Sequence, residues 1–185
     1  MGPALTVSMH DTTETPIPIT TIDQLVRTLH AALPHEYAAI MAGLRLPEAQ
    51  VAPYCHWNSK HSTRTCVART DEFELLVICF EPGQGTSIHD YNSQTAWIHP
   101  IRGAILEERF EQALDKLVRR TATMLTPGSF CSMHNEQSIH RFTNTGSERT
   151  ITLNLYSRPL RKWRVYDERT GRHREKPLHG YEPGQ

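Results

Sequence analysis

From about residue 63 to residue 157 the chain runs as short β-forming segments punctuated by turn residues, a pattern that only a sheet-rich fold satisfies. "EFELLVICF" is apolar on both faces, so something must cover each of them. "AILEERFEQ" and "KLVRRTATML" read as the two arms of a hairpin across "ALD", and "ERTITLNLYS" alternates cleanly. Short strands at such spacing predict a sandwich or barrel. In "ITLNLYS", Ile151, Leu153 and Leu155 share one face and Thr152, Asn154 and Tyr156 the other. A barrel holding a small ligand would turn that polar face inward, and a solvated outer face accounts for the same pattern.

The region before the strands has a different period. Residues 1–19 are rich in Thr and Pro and are expected to form a flexible arm. Thr21 with Gln24 makes a capping-box start for a helix over 21–33, with Ile22, Leu25, Val26 and Leu29 at helical spacing. Shorter helices are expected around 35–43 and 47–51, interrupted by Pro34, Pro47 and Pro53. The polar, turn-rich tail after Arg158 is expected to wrap the outside. The expected organisation is therefore one domain over 20–185, with helices within about 21–52 and a barrel within about 60–170. A chain of 185 residues suffices for one core.

Twenty basic and twenty acidic side chains cancel, which removes any global electrostatic case for nucleic acid or an anionic membrane. Cys55, Cys66, Cys79 and Cys131 form no C-x-x-C pair, the N-terminus has no apolar signal core, and no apolar run approaches a membrane span. These features predict a cytoplasmic protein, monomer or dimer, with a small-molecule partner. Cys79 reads as a small buried hydrophobe, and His56, His61 and His134 as surface or packing residues.

Gly83, His89, Tyr91, Ala96 and Gly103 follow the spacing of the first cupin motif, G-x5-H-x-H-x(3,4)-E-x6-G, with tyrosine in place of its second histidine. Pro127-Gly128 and then His140 and Asn144, in H-x3-N spacing, supply the second motif. On a strand His89 and Tyr91 point the same way and can reach one ion together. Within the cupins, "CFEPGQGTSIHDYNS", "LNLYSRPL" and "DERTG" resemble the cysteine dioxygenases over roughly residues 60–170. The resemblance implies a mainly β cupin jelly-roll barrel with short N-terminal helices. It also implies one mononuclear metal ion, with O2 as co-substrate.

Carried over from that family, His89 and His140 match the first and third metal histidines, Arg64 the carboxylate-binding arginine and Tyr156 the active-site tyrosine. The substrate implied is an amino thiol that chelates the metal through thiolate and amine. Tyr91 stands at the second histidine's place, as a phenolate ligand or swung away. Ala96 stands where some members carry a cysteine crosslinked to the tyrosine. Asn154 and Thr152 replace the histidine and serine of the relay around Tyr156. His99 falls, by strand parity, on the opposite face. Iron(II) is the metal the resemblance implies, and two imidazoles accept nickel(II) or another divalent metal equally.

The expected function is oxidation of the sulfur of L-cysteine or a close carboxylate-bearing thiol. The product would be a sulfinate or, by S–N bond formation, a sulfonamide-type compound. The alternatives are a 3-mercaptopropionate dioxygenase and a non-catalytic small-molecule-binding cupin.

Overall fold

A computed structural model describes residues 18–91, 94–134 and 138–177. The expected flexible arm lies, for residues 1–17, outside the described residues. Ile19, placed in that arm from sequence, is instead buried and forms a parallel bridge with Leu44.

Three helices lead the chain: α1 Ile22–Ala31, α2 Tyr37–Ala42 and α3 Glu48–Val51. Thr21 caps α1 by accepting from the Gln24 amide at 3.1 Å, and Ile22, Leu25 and Leu29 turn inward. Eleven strands follow among the described residues: β1 Thr63–Arg69, β2 Phe73–Phe80, β3 His89–Asp90, β4 Ala96–Arg102, β5 Ile105–Ala113, β6 Lys116–Leu125, β7 Cys131–Met133, β8 Ile139–Thr143, β9 Thr150–Ser157, β10 Lys162–Tyr166 and β11 His173–Pro177.

They form two antiparallel sheets, β1-β2-β9-β4-β7 and β11-β10-β3-β8-β5-β6. The mainly β jelly roll expected from sequence is present. Among the described residues it is a pair of hydrogen-bonded sheets rather than one closed barrel, the double-sheet way of burying a core.

β2 is apolar on both faces because each face has a partner. Leu75, Val77 and Cys79 pack with Ile151, Leu153, Leu155 and Trp97 against the helices, while Leu76, Ile78 and Phe80 join Ile98, Ile105, Phe142 and Tyr156 between the sheets. The β5–β6 hairpin turns at Leu114–Asp115, as the sequence predicts. Gly103 sits at φ +69° between β4 and β5, where a Cβ would lie 2.7 Å from Thr150 Oγ1.

The tail departs from expectation. Rather than wrapping the outside, it supplies β10 and β11, and β10 pairs with β3 through Arg164↔Asp90 and Val165↔His89. The alternation in "KWRVY" gives β10 one polar and one apolar face, which suits an internal strand. Among the described residues no helix is long and apolar enough to cross a membrane.

Candidate metal centre

β3 and β8 lie side by side with His89 directly opposite His140, their ring centroids 4.3 Å apart. Each Nδ1–H donates to a carbonyl two residues back, His89 to Ser87 at 2.8 Å and His140 to Ser138 at 2.6 Å. That fixes the tautomer and leaves both Nε2 lone pairs for something else. Burial pushes His89 down to about 4 and holds His140 well below the ordinary histidine range. Both rings are therefore neutral near pH 7, the form that binds metals.

Tyr91 follows β3 and lies on the same side as His89. Its hydroxyl donates to His140 Nε2 at 3.1 Å, and its ring stands edge-on to Tyr156 at 5.1 Å. Burial raises Tyr91 well above 10, with the neighbouring Tyr156 acting in the same direction.

β9 contributes Thr152, Asn154 and Tyr156, all buried, so its polar face points inward. Asn154 Nδ2 donates to the Tyr156 hydroxyl at 3.3 Å, while Asn154 Oδ1 is buried without a hydrogen-bond partner among the described residues. Burial also raises Tyr156, against the positive charge of Arg64 on β1, which is felt at His89 and Tyr91 as well. Six of the seven residues singled out from sequence, Arg64, His89, Tyr91, Thr152, Asn154 and Tyr156, line one cavity of about 200 Å³. The seventh, His140, adjoins it through Tyr91 and His89.

The other histidines stay apart. His99 is buried on the helix side beside Trp97, its Nδ1 on the Pro100 carbonyl, and His56, His61 and His134 do not line the cavity. Asn144 of the second motif is a loop tie, donating to the carbonyls of Phe80 and Glu148. Two residues of the site escaped the sequence reading. Trp163 on β10 lines the cavity with its ring 4.5 Å from His89. Asp90, behind His89, is buried and takes Arg164 Nε and Nη2 at 2.9 and 2.8 Å and the Tyr166 hydroxyl at 2.6 Å. The alternation of "KWRVY", weak inside a polar tail, was the available signal for Trp163, and no local pattern marked Asp90.

The model of the family cysteine dioxygenase type I matches residues 3–169. The chain belongs to that family. Cysteine dioxygenase type 1 of Bos taurus is 26% identical over 169 residues, covering 85% of this chain and 84% of its own. The human protein of the same name is 27% identical over 162 residues, covering 82% and 81%. A conserved protein with a double-stranded β-helix domain from Klebsiella pneumoniae superposes with a TM-score of 0.54 at 18% identity, over 64% of this chain and 95% of its own, a likeness of fold.

As a cysteine dioxygenase family member the chain is a non-haem, metal-dependent thiol dioxygenase. Its donor set fits a metal: two neutral imidazoles 4.3 Å apart with Nδ1 anchored on carbonyls, and a phenol hydroxyl at His140 Nε2. Among the described residues no cluster of three His, Cys, Asp or Glu side chains could hold an ion, because the third place in the family's set is Tyr91.

Proposed function

We infer that this protein uses O2 to oxidise the sulfur of L-cysteine or a close carboxylate-bearing thiol. The observation that carries the reading is that His89, Tyr91 and Arg64 share one small cavity with His140 immediately behind. His89 and His140 would hold the ion by Nε2, with Tyr91 as the third donor. Iron(II) is the first metal to test and nickel(II) the second, since imidazole suits both. When bound, the metal supplies a Lewis-acid position at which thiolate and O2 meet.

The protein's own residues do the rest. Arg64 takes the substrate carboxylate in a charge-assisted pair, which sets the orientation of the thiol. Tyr156, held by Asn154, offers a hydroxyl to the reacting end. Asn154 Oδ1, without a partner among the described residues, can accept from the substrate amine, which makes L-cysteine a better match than 3-mercaptopropionate. The four cysteines are free thiols, in keeping with a reducing cytoplasm.

A second reading concerns the product. Tyr91 in place of a histidine and Ala96 paired with Tyr156 alter the oxygen-handling half of the site, while Arg64 is kept. With sulfur and amine held side by side, one O2 can take the thiol to the sulfinate, and S–N bond formation can follow as a further two-electron oxidation in which a second O2 accepts the two electrons and the two protons lost from the sulfinic acid and the amine and leaves as H2O2, giving a sulfonamide-type product. The test is O2 uptake by iron- and nickel-loaded protein with L-cysteine, with mass spectrometry of product made from 15N-cysteine and 18O2. Metal-dependent uptake with 18O on sulfur is the expected result. Cysteine sulfinate as sole product would eliminate the S–N reading, and no uptake with L-cysteine or 3-mercaptopropionate would leave a binding protein.

A further inference from the structure

β10 brings a side chain to the cavity that the reaction described above does not use. Trp163 and Val165 face inward on this strand, while Arg164 and Tyr166 face outward onto Asp90. The indole packs against the His89 ring at 4.5 Å and 56°. At the inner end of the cavity His89, Tyr91, Asn154 and Tyr156 are all at most 4% exposed, whereas Trp163 is half-buried and stands toward solvent. It is also the largest side chain on the cavity wall. At about 200 Å³ the space is small, below the range of roughly 300–1,000 Å³ usual for drug-sized ligands.

We propose that Trp163 is the specificity-determining residue of this cavity, limiting its substrates to short carboxylate-bearing thiols. The inference rests on the thiol-oxygenase reading. A substrate whose sulfur approaches His89 and whose carboxylate meets Arg64 must lay its carbon chain in the space between, and the indole bounds that space. The ring has little freedom to yield, because it packs on His89 and its strand is pinned to β3 by the two-pronged Asp90–Arg164 pair. A chain one methylene longer than cysteine then meets the indole face.

Trp163→Ala and Trp163→Phe test this with L-cysteine and L-homocysteine. Two quantities are read for each protein: kcat/KM for O2 uptake, and dissociation constants of the metal-loaded protein measured without O2. Circular dichroism checks the fold. A pocket wall that admits one more methylene moves discrimination by about tenfold or more. Trp163→Ala is expected to raise the homocysteine-to-cysteine ratio of kcat/KM and to lower that of the dissociation constants, each by that factor, with Trp163→Phe between it and the wild type. Ratios unchanged within twofold in both variants, with wild-type cysteine binding intact, overturn the proposal and leave the oxygenase reading standing. A wild-type protein that binds neither thiol overturns both. If binding discrimination shifts but no protein consumes O2, the role of Trp163 stands and the oxygenase reading falls.

Discussion

Tyr91 occupies the lone pair that a metal would need. Its hydroxyl donates to His140 Nε2, so an ion entering beside His140 must displace that hydrogen bond. The phenol has little room to leave, being 4% exposed and packed edge-on against both His89 and Tyr156. On the proposed function, a displaced hydroxyl that cannot swing out would end as a ligand. Iron-loaded, oxidised protein should therefore show a phenolate-to-metal charge-transfer band that is absent in Tyr91→Phe, and that variant should bind metal at least about tenfold more weakly, since even orienting partners of ligands are worth that much. A bandless spectrum with unchanged affinity in Tyr91→Phe would make this a two-histidine site. His89→Ala and His140→Ala should each abolish stoichiometric metal by elemental analysis, because either leaves a single imidazole.

β3 is two residues long, and nothing in its own sequence holds it straight. It owes its place to neighbours: His140 on β8 at one side, β10 at the other, and behind it Ile88, Phe110, Ile139 and Tyr166 as a small apolar cluster. Asp90 is the polar centre of that backing, fully buried between Arg164 and Tyr166. Breaking a buried pair by removing one partner costs about 3–5 kcal/mol. Arg164 keeps some access to water, so Asp90→Ala should cost about 3 kcal/mol by denaturant unfolding and weaken metal binding at the untouched His89. An unchanged midpoint would show that β3 is held by packing alone. Elements with strong internal period were legible in the sequence: α1 from its cap, β2 from its two apolar faces, the β5–β6 hairpin from paired alternation. β3 and β10 were not, because β3 is too short to have a period and "KWRVY" carries its charges within a polar tail. Their pairing joins residues 74 positions apart, which local pattern does not encode.

Among the described residues the molecule is a helix layer, a five-stranded sheet and a six-stranded sheet, with the cavity between the sheets. That convergence was legible only through the motif resemblance. Periodicity put Thr152, Asn154 and Tyr156 on one face but left open whether it pointed inward, and no period links Arg64 to His140. The outer face of the six-stranded sheet has the opposite character, since Arg141 alternates with His140 and so points away from the cavity. There Glu108 on β5 accepts from Arg119 on β6 at 2.8 Å and from Arg141 on β8 at 2.8 Å, tying three strands. Burial pushes the Glu108 carboxyl up, but the hydrogen bonds and charges of Arg119 and Arg141 outweigh it and hold the folded-state pKa below the ordinary 4.5. A depressed carboxyl stabilises the fold fully above its unfolded pKa and ceases to do so as pH falls through the folded value. Glu108→Gln keeps the shape and removes the charge. It should be less stable than the wild type by about 1.5–2 kcal/mol at pH 7, the low end for hydrogen bonds to a charged group because Arg119 is largely exposed. That gap should close as pH is lowered from about 4.5 through the folded pKa. Urea unfolding of both proteins across that range reads the gap directly. A difference that stays constant to the acid end would assign the effect to packing rather than to the Glu108 charge.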